Sequence, residues 1–426
     1  MERRGRPSGL ESTISRILDR RRSASTIRQL TMNGPNAADF SSNDFLSLST
    51  NPELRHLFIQ ELEKGPLNTG SGGSRLLDGN SAYAEDLEQF IANFHNAPAG
   101  LLCNSGFDAN VGLFSCLPQP GDVVIFDEAI HASVHDGMKL SRAGKCICFA
   151  HNDVSALRSV MTECLLSDVG VQEGKRNIFV AVETVYSMDG DVAPLKDIVS
   201  LINELLPEGN GHLIVDEAHS TGIYGKRGRG LVCELGLEKE VTVRLHTFGK
   251  ALAANGAILL CSPMIRQYLV NYARPLIYTT FMSFPALAAI RASYMYMATG
   301  KTEALARNLK MLIQSLHDQL LEMRDGLGLR EGEEAWLRVP KECPETPIFA
   351  VLSSQPKALA SYCQKNGFVV RGIVPPTVPA GAERIRVCLH AGNSVQQVEN
   401  LVETIRSWVQ RHRADSRSGQ SPWARL

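Results

Sequence analysis

No C-x-x-C pair occurs among the ten cysteines of this 426-residue chain, and the closest two, Cys146 and Cys148, stand in C-x-C spacing on one strand-like run. That pattern indicates neither a zinc site nor a disulfide framework, and leaves buried, reduced thiols of an intracellular enzyme. No uninterrupted apolar run reaches the ~18 residues of a membrane span and no secretory signal opens the chain, so no membrane role is indicated. Neither sign of charge is in surplus. The 44 Lys and Arg against 45 Asp and Glu give a net charge of -1, which favours neither nucleic acid nor an anionic membrane. No internal repeat is present. His131 and His135 have the i, i+4 spacing of a metal pair, but no glutamate completes H-E-x-x-H, so no metal is expected. The string Asp216-Glu217-Ala218-His219 invites a helicase reading, which requires an upstream phosphate loop. The one candidate, Gly70 to Arg75, has no lysine and also fails the G-x-G-x-x-G pattern at its last place.

What is present is an ordinary globular composition, 44% hydrophobic and 21% charged, long enough for one large domain and a smaller one. Short runs that are apolar throughout predict strands at 123–127, 146–150, 178–184, 212–217, 241–247 and 257–262, with helices between several of them, including 154–166 and 194–206. Strands apolar on both sides are covered on both faces, the doubly wound α/β pattern. A basic helix is expected over about 11–30, with Ile14, Ile17 and Leu18 on one face, and a long helical region from about 285 to 324. Three further strands at 348–353, 367–373 and 384–390, with a last helix near 394–411, predict a small C-terminal α/β domain. The expected organisation is a disordered stretch over 1–10, an N-terminal helix and extended segment over 11–80, a large α/β domain over 81–290, a small α/β domain over 291–413, and a flexible tail over 414–426.

The chemistry centres on two strand ends. Leu213-Ile214-Val215 runs into Asp216, with His219 three residues on; a second run ends at Thr247-Phe248-Gly249-Lys250, thirty-four residues after Asp216. In a parallel sheet both ends lie on the edge where ligands bind. An acid and an amine facing one pocket suit pyridoxal phosphate: the lysine holds the aldehyde as a Schiff base and the acid pairs with the pyridinium nitrogen. Taken alone, Asp216 also reads as a helix N-cap and Lys250 as a solvated strand-end lysine; the two together favour the cofactor. Ser105-Gly106-Phe107 precedes a helical stretch, where backbone amides could approach a phosphate or simply form a strand-helix turn. His131, just past another strand end, could stack on a flat cofactor.

These motifs, in this order, resemble the α-oxoamine synthases, a branch of the fold-type I pyridoxal-phosphate transferases, over about 14–406, with the nearest likeness to the oxononanoate synthases of biotin synthesis. The resemblance implies a large, doubly wound, mostly parallel sheet domain with a small C-terminal α/β domain. It also implies pyridoxal 5'-phosphate contacts at Gly106, Phe107, His131, Ser187, Asp216, His219, Thr247 and Lys250, with Lys250, His131 and Asp216 catalytic. Ser41 to Leu46 and Gly70 to Ser74 resemble two further family motifs. Substrate contacts are implied at Arg28, Asn43, Thr377 (in the run Pro375 to Gly381) and Arg386, the last suited to a carboxylate; Arg28 reads equally as part of a solvated helix face. The chain departs from the oxononanoate pattern at Arg75-Leu76-Leu77-Asp78, closer to sister branches with other acyl donors, and at Val374, where some relatives carry arginine.

The implied reaction is the decarboxylative condensation of L-alanine with pimeloyl-CoA to 8-amino-7-oxononanoate, CoA and carbon dioxide, by a homodimer. The alternatives are another acyl-CoA, or glycine or serine, in a secondary pathway, and a non-catalytic partner subunit. The presence of Lys250 and Asp216 argues against the last, and the absence of a helix-turn-helix segment argues against a DNA binder. The final residues Ala424-Arg425-Leu426 resemble a peroxisomal import signal read by a receptor, which gives the peroxisome as the expected compartment, with the cytosol or mitochondrion as alternatives.

Overall fold

The computed structural model describes residues 8–23, 26–65, 68–329 and 336–417; the C-terminal tripeptide lies outside them. The chain forms two units, before and after Ala38. In the first, a helix over Gly9–Ser23 begins with a capping box: the Glu11 amide donates to Ser8 Oγ (3.2 Å) and the Ser8 amide to the Glu11 carboxylate (2.8 Å). The helix ends at Ser23 rather than near 30, so Arg28 lies beyond it, exposed in non-helical chain.

In the second unit the strands are β1 (Ala38–Asp39), β2 (Ala99–Cys103), β3 (Val123–Asp127), β4 (Lys145–Phe149), β5 (Ile178–Glu183), β6 (Gly211–Asp216), β7 (Val241–Thr247), β8 (Ala257–Cys261), β9 (Ile348–Leu352), β10 (Phe368–Val369), β11 (Arg371–Ile373) and β12 (Arg384–Cys388). Seven build the central sheet in the order β2-β8-β7-β6-β5-β3-β4. All its pairings are parallel except those of β8, which runs antiparallel to both neighbours. Alternate residues of each strand enter two cores. Ile125, Val180 and Val215 meet the helices Val154–Ser167 and Leu195–Leu205, while Val124, Ala181 and Ile214 meet Gly106–Cys116 and Pro263–Tyr272. Two-sided burial of this kind is why the strands read as unbroken apolar runs. The chain passes from β3 outward to β4 and returns on the other side of β3 with β5, so the crevice at the C-terminal ends of β3 and β5 is the topological switch point.

The C-terminal part carries an antiparallel sheet, β11-β12-β9, packed through Ile348, Phe349, Ile385 and Val387 against the helices Thr302–Leu327, Pro356–Lys365 and Val395–Arg417. Two local expectations are corrected. The long helical region is two helices, Phe284–Ala298 and Thr302–Leu327, broken at Gly300, whose φ of +79° no helix continues through. The single strand over 367–373 is two: β10 pairs in parallel with β1, and β11 joins β12. The expected burial of the thiols also fails at one place: all ten cysteines are free, but Cys146 and Cys148 are exposed on the edge strand β4.

Candidate active site

Asp216 ends β6, 8% exposed, and its carboxylate accepts from the Ala218 amide (2.9 Å) and from Asn110 Nδ2 (2.9 Å). Asn110 comes from the helix Gly106–Cys116 and also donates to Ser133 Oγ (3.0 Å), which lies 2.7 Å from His131 Nδ1. The Ser133 amide points at the same nitrogen (3.2 Å) and can only donate, so Nδ1 is the acceptor and the neutral ring carries its proton on Nε2. Burial lowers the basicity of His131, ahead of the opposing pull of Asp216. Asp216 and His131 are thus tied through two intermediates, Asn110 and Ser133.

Lys250 follows β7, half-buried, with Nζ 2.8 Å from His219 Nε2. Burial first, then the Lys250 charge, pushes His219 well below its usual range, and burial lowers the Lys250 ammonium although Asp216 and Glu183 oppose it. His219 Nδ1 is buried with no partner, and Phe45 packs on its ring (centroids 5.9 Å apart). Ser105 caps the Gly106–Cys116 helix by accepting from the Asp108 amide (3.0 Å). A Cβ on Gly106 would stand 3.4 Å from Thr247 Oγ1, so glycine keeps that helix N-terminus open beside a hydroxyl. Phe107 is exposed, its ring edge-on to His131 at 6.4 Å.

A second group lies where β12 meets the loop after β5. Arg386, 7% exposed, donates from Nε to the Ser187 carbonyl (2.6 Å), from Nη2 to Asn43 Oδ1 (3.0 Å) and from Nη1 to the Ser41 carbonyl (3.5 Å). It lies close enough to Lys250 and His219 to depress both. The loop Tyr186 to Asp191 is held by further bonds. Arg384 donates to the Met188 carbonyl and to the Asp189 carboxylate, and His151, between Asp127 and Asp191 at 2.7 Å each, clasps the other end. Burial lowers His151, but its bonds to those two carboxylates outweigh that and push it up to about 10. A cleft of about 520 Å³ opens between this loop and the run Pro375 to Ala380, with Thr377 exposed on its wall.

The expected residues Gly106, His131, Asp216, His219, Thr247 and Lys250 therefore come to one edge of the sheet, and Asn43, Ser187 and Arg386 join one another. Thr377 stands on the cleft, Arg28 belongs to the first unit, and His135 is half-buried against Phe126. Reading the sequence missed Asn110, Ser133 and Glu183. Asn110 had a signal: it stands four residues after Gly106 and so shares its helix face. Among the described residues no group of three or more His, Cys, Asp or Glu is placed to hold a metal ion, and no helix is long and apolar enough to cross a membrane.

The family model for aminotransferase class I and II matches residues 35–405. The chain belongs to that family. An 8-amino-7-oxononanoate synthase of Emericella nidulans is 54% identical over 407 residues, covering 95% of this chain and 97% of the relative. An aminoacyl transferase, sphA, of Aspergillus fumigatus is 40% identical over 404 residues, 92% and 86% of the two chains. A solved structure of SPT with PLP as internal aldimine superposes with a TM-score of 0.80, covering 94% of this chain and 98% of that one, at 24% identity, a likeness of fold alone. The α-oxoamine synthase likeness, the fold-type I architecture, the acyltransferase class and the pyridoxal 5'-phosphate dependence expected of the motifs stand with this membership. The residues present fit that cofactor. An acid held by two donors, a partnerless buried imidazole nitrogen, an amine of lowered basicity and an open helix N-terminus beside Thr247 all face one edge.

Proposed function

We propose that this chain condenses L-alanine with pimeloyl-CoA, releasing CoA and carbon dioxide and giving 8-amino-7-oxononanoate, with pyridoxal 5'-phosphate held at Lys250. The observation that carries the reading is the Lys250 amine set 2.8 Å from His219 on the sheet edge that ends in Asp216, with Arg386 close by. When bound, the cofactor supplies an aldehyde carbon that condenses with amines and a pyridine ring that accepts electrons from a breaking bond at the substrate α-carbon. Asp216, oriented by Asn110 and the Ala218 amide, holds the ring nitrogen protonated. His131, its tautomer set by Ser133, would stack on the ring, and His219, whose Nε2 lies beside Lys250, would hydrogen-bond the ring oxygen. The amides at the start of the Gly106–Cys116 helix, with Thr247, take the phosphate. Arg386 holds the amino-acid carboxylate in place of part of its present bonding to Asn43 and Ser187. Lys250, whose amine is neutral more readily than a solvated lysine's, removes the α-proton. Arg28 and Thr377 are, in this reading, each a substrate contact.

The test is CoA release from purified protein supplied with pyridoxal phosphate, L-alanine and a panel of acyl-CoAs. Preference for pimeloyl-CoA supports the biotin assignment; turnover confined to monocarboxylic donors moves the protein to another pathway with its mechanism kept. The likeness to the sphA aminoacyl transferase favours that second reading, in which another acyl donor, or glycine or serine, is used. Replacing Lys250 by alanine should remove both the absorbance of the bound cofactor and turnover; retained turnover would sink the assignment. The proposal includes a homodimer, checked by light scattering. It also includes peroxisomal import through Ala424-Arg425-Leu426, checked by fusing those residues to a fluorescent protein, where a diffuse cytosolic signal removes the idea.

A further inference from the structure

Glu183 is the last residue of β5, and its partner in the register of the neighbouring parallel strand is Asp216, the last residue of β6. Residues paired in this way project from the same face, on strands roughly 4.8 Å apart. The two residues are 4% and 8% exposed. The groups facing Glu183 come from every neighbouring element: Asp216 from β6, Asp127 from the end of β3, Lys250 from the turn after β7, and the backbone N–H of His131 from the start of the next helix. The Tyr186 phenol lies beside both Glu183 and Asp127. Asp127 is paired with His151, so Glu183 and Asp216 are the two acids that share Lys250. Asp216 has two donors of its own, Asn110 and the Ala218 amide, whereas the hydrogen-bonding neighbour of Glu183 is the His131 amide. Two like charges so close in a dry interior cannot both ionise cheaply, and the one with more donors keeps its charge.

We propose that Glu183 is a positioning residue of the cofactor site, a neutral acid that anchors the backbone at His131 and leaves Asp216 as the negative charge available to the cofactor's ring nitrogen. The proposal rests on the reading that Asp216, His131 and Lys250 hold pyridoxal phosphate. Burial, reinforced by Asp216, pushes the Glu183 carboxyl well above the usual carboxylate range, in agreement with the register argument.

The experiment compares holoenzymes carrying Glu183→Gln and Glu183→Leu with the wild type, titrating the visible absorbance of the bound cofactor with pH. Glutamine removes no charge from a neutral acid, so the midpoint should stay within about 0.3 pH unit of wild type; a fall of about one unit or more means that an anion has been lost, and overturns the neutral acid. Leucine leaves the His131 amide without its acceptor, so the cofactor dissociation constant should rise about tenfold, with a changed induced circular dichroism. An unchanged constant in a folded Glu183→Leu protein overturns the positioning role. Should the glutamine variant fail to fold, the infrared difference between wild type and Glu183→Leu at neutral pH carries the test. The carbonyl stretch of a protonated carboxyl should be lost in the leucine variant; loss of a carboxylate band instead overturns the proposal. These outcomes are separate from the failure of the site assignment, which a wild-type cofactor spectrum in Lys250→Ala would reveal.

Discussion

Gly190 sits in the loop that carries Ser187, and replacing it by alanine perturbs the site without touching a reacting group. Its φ is +76°, and a Cβ there would overlap the Ile348 carbonyl oxygen of β9 and stand 2.8 Å from Thr346 Oγ1. Thr346 also donates to the Gly190 carbonyl (2.6 Å), so the loop is wedged directly against that strand's backbone. Two costs add. The left-handed conformation costs an alanine about 1–2 kcal/mol, and relieving an overlap with backbone, which has no rotamer to move, costs about 1–3 kcal/mol more. Gly190→Ala should therefore lose about 3 kcal/mol of stability. Gly209→Ala isolates the first cost, because Gly209 has almost the same φ, +78°, and open space around it; it should lose about 1 kcal/mol. Denaturant unfolding of both variants reads the difference directly. Because Arg386 binds the Ser187 carbonyl three residues earlier, Gly190→Ala should also raise the KM for the amino acid, while Gly209→Ala leaves it alone. Equal stability losses in the two variants would refute the wedge.

Arg386→Lys removes the planar fork that reaches the Ser187 carbonyl and Asn43 together; the KM for the amino acid should rise about tenfold or more, and an unchanged KM in steady-state assays would remove Arg386 from the carboxylate site. His151 is raised from 6.5 to about 10 by Asp127 and Asp191, so its folded form holds a proton that the unfolded chain releases. The stability it adds is fully present below about pH 6.5 and is lost as pH rises towards 10, and the gap between wild type and His151→Gln in unfolding experiments should close over that window. Glu217 has the same sign at lower pH. Burial raises it from 4.5 to about 7, with His246 Nε2 at 3.6 Å and Arg244 nearby, so the folded state binds a proton that the unfolded state gives up. Stability should fall by about 3 kcal/mol as pH rises from 4.5 to 7, and Glu217→Gln should flatten that slope.

What was legible in the sequence divides by the distance over which each feature is decided. Strands buried on both faces declare themselves locally, and β3, β5, β6, β7 and β8 lie within a residue or two of the apolar runs that predict them. β2 escaped because Gly100 leaves it a run of only three larger apolar residues. The split between β10 and β11 has no local cause: it exists because Phe368–Val369 finds Ala38–Asp39, some 330 residues away. The site divides in the same way. Asp216, Lys250 and His131 stand at strand ends, where residue type and position together carry meaning. Arg386, by contrast, meets Asn43 and Ser187 across 343 and 199 residues, which residue spacing alone does not reveal. Asn110 and Ser133 act through contacts between a helix and the start of the next one, and neither residue type is informative by itself. Glu183 is the instructive case. At the end of an apolar strand it reads exactly as Asp216 does, as one acid at one sheet edge, and either could cap a helix or serve a ligand. The register of β5 on β6 sets the two side by side under a single lysine, and that adjacency, absent from either strand taken singly, decides which of them can carry a charge.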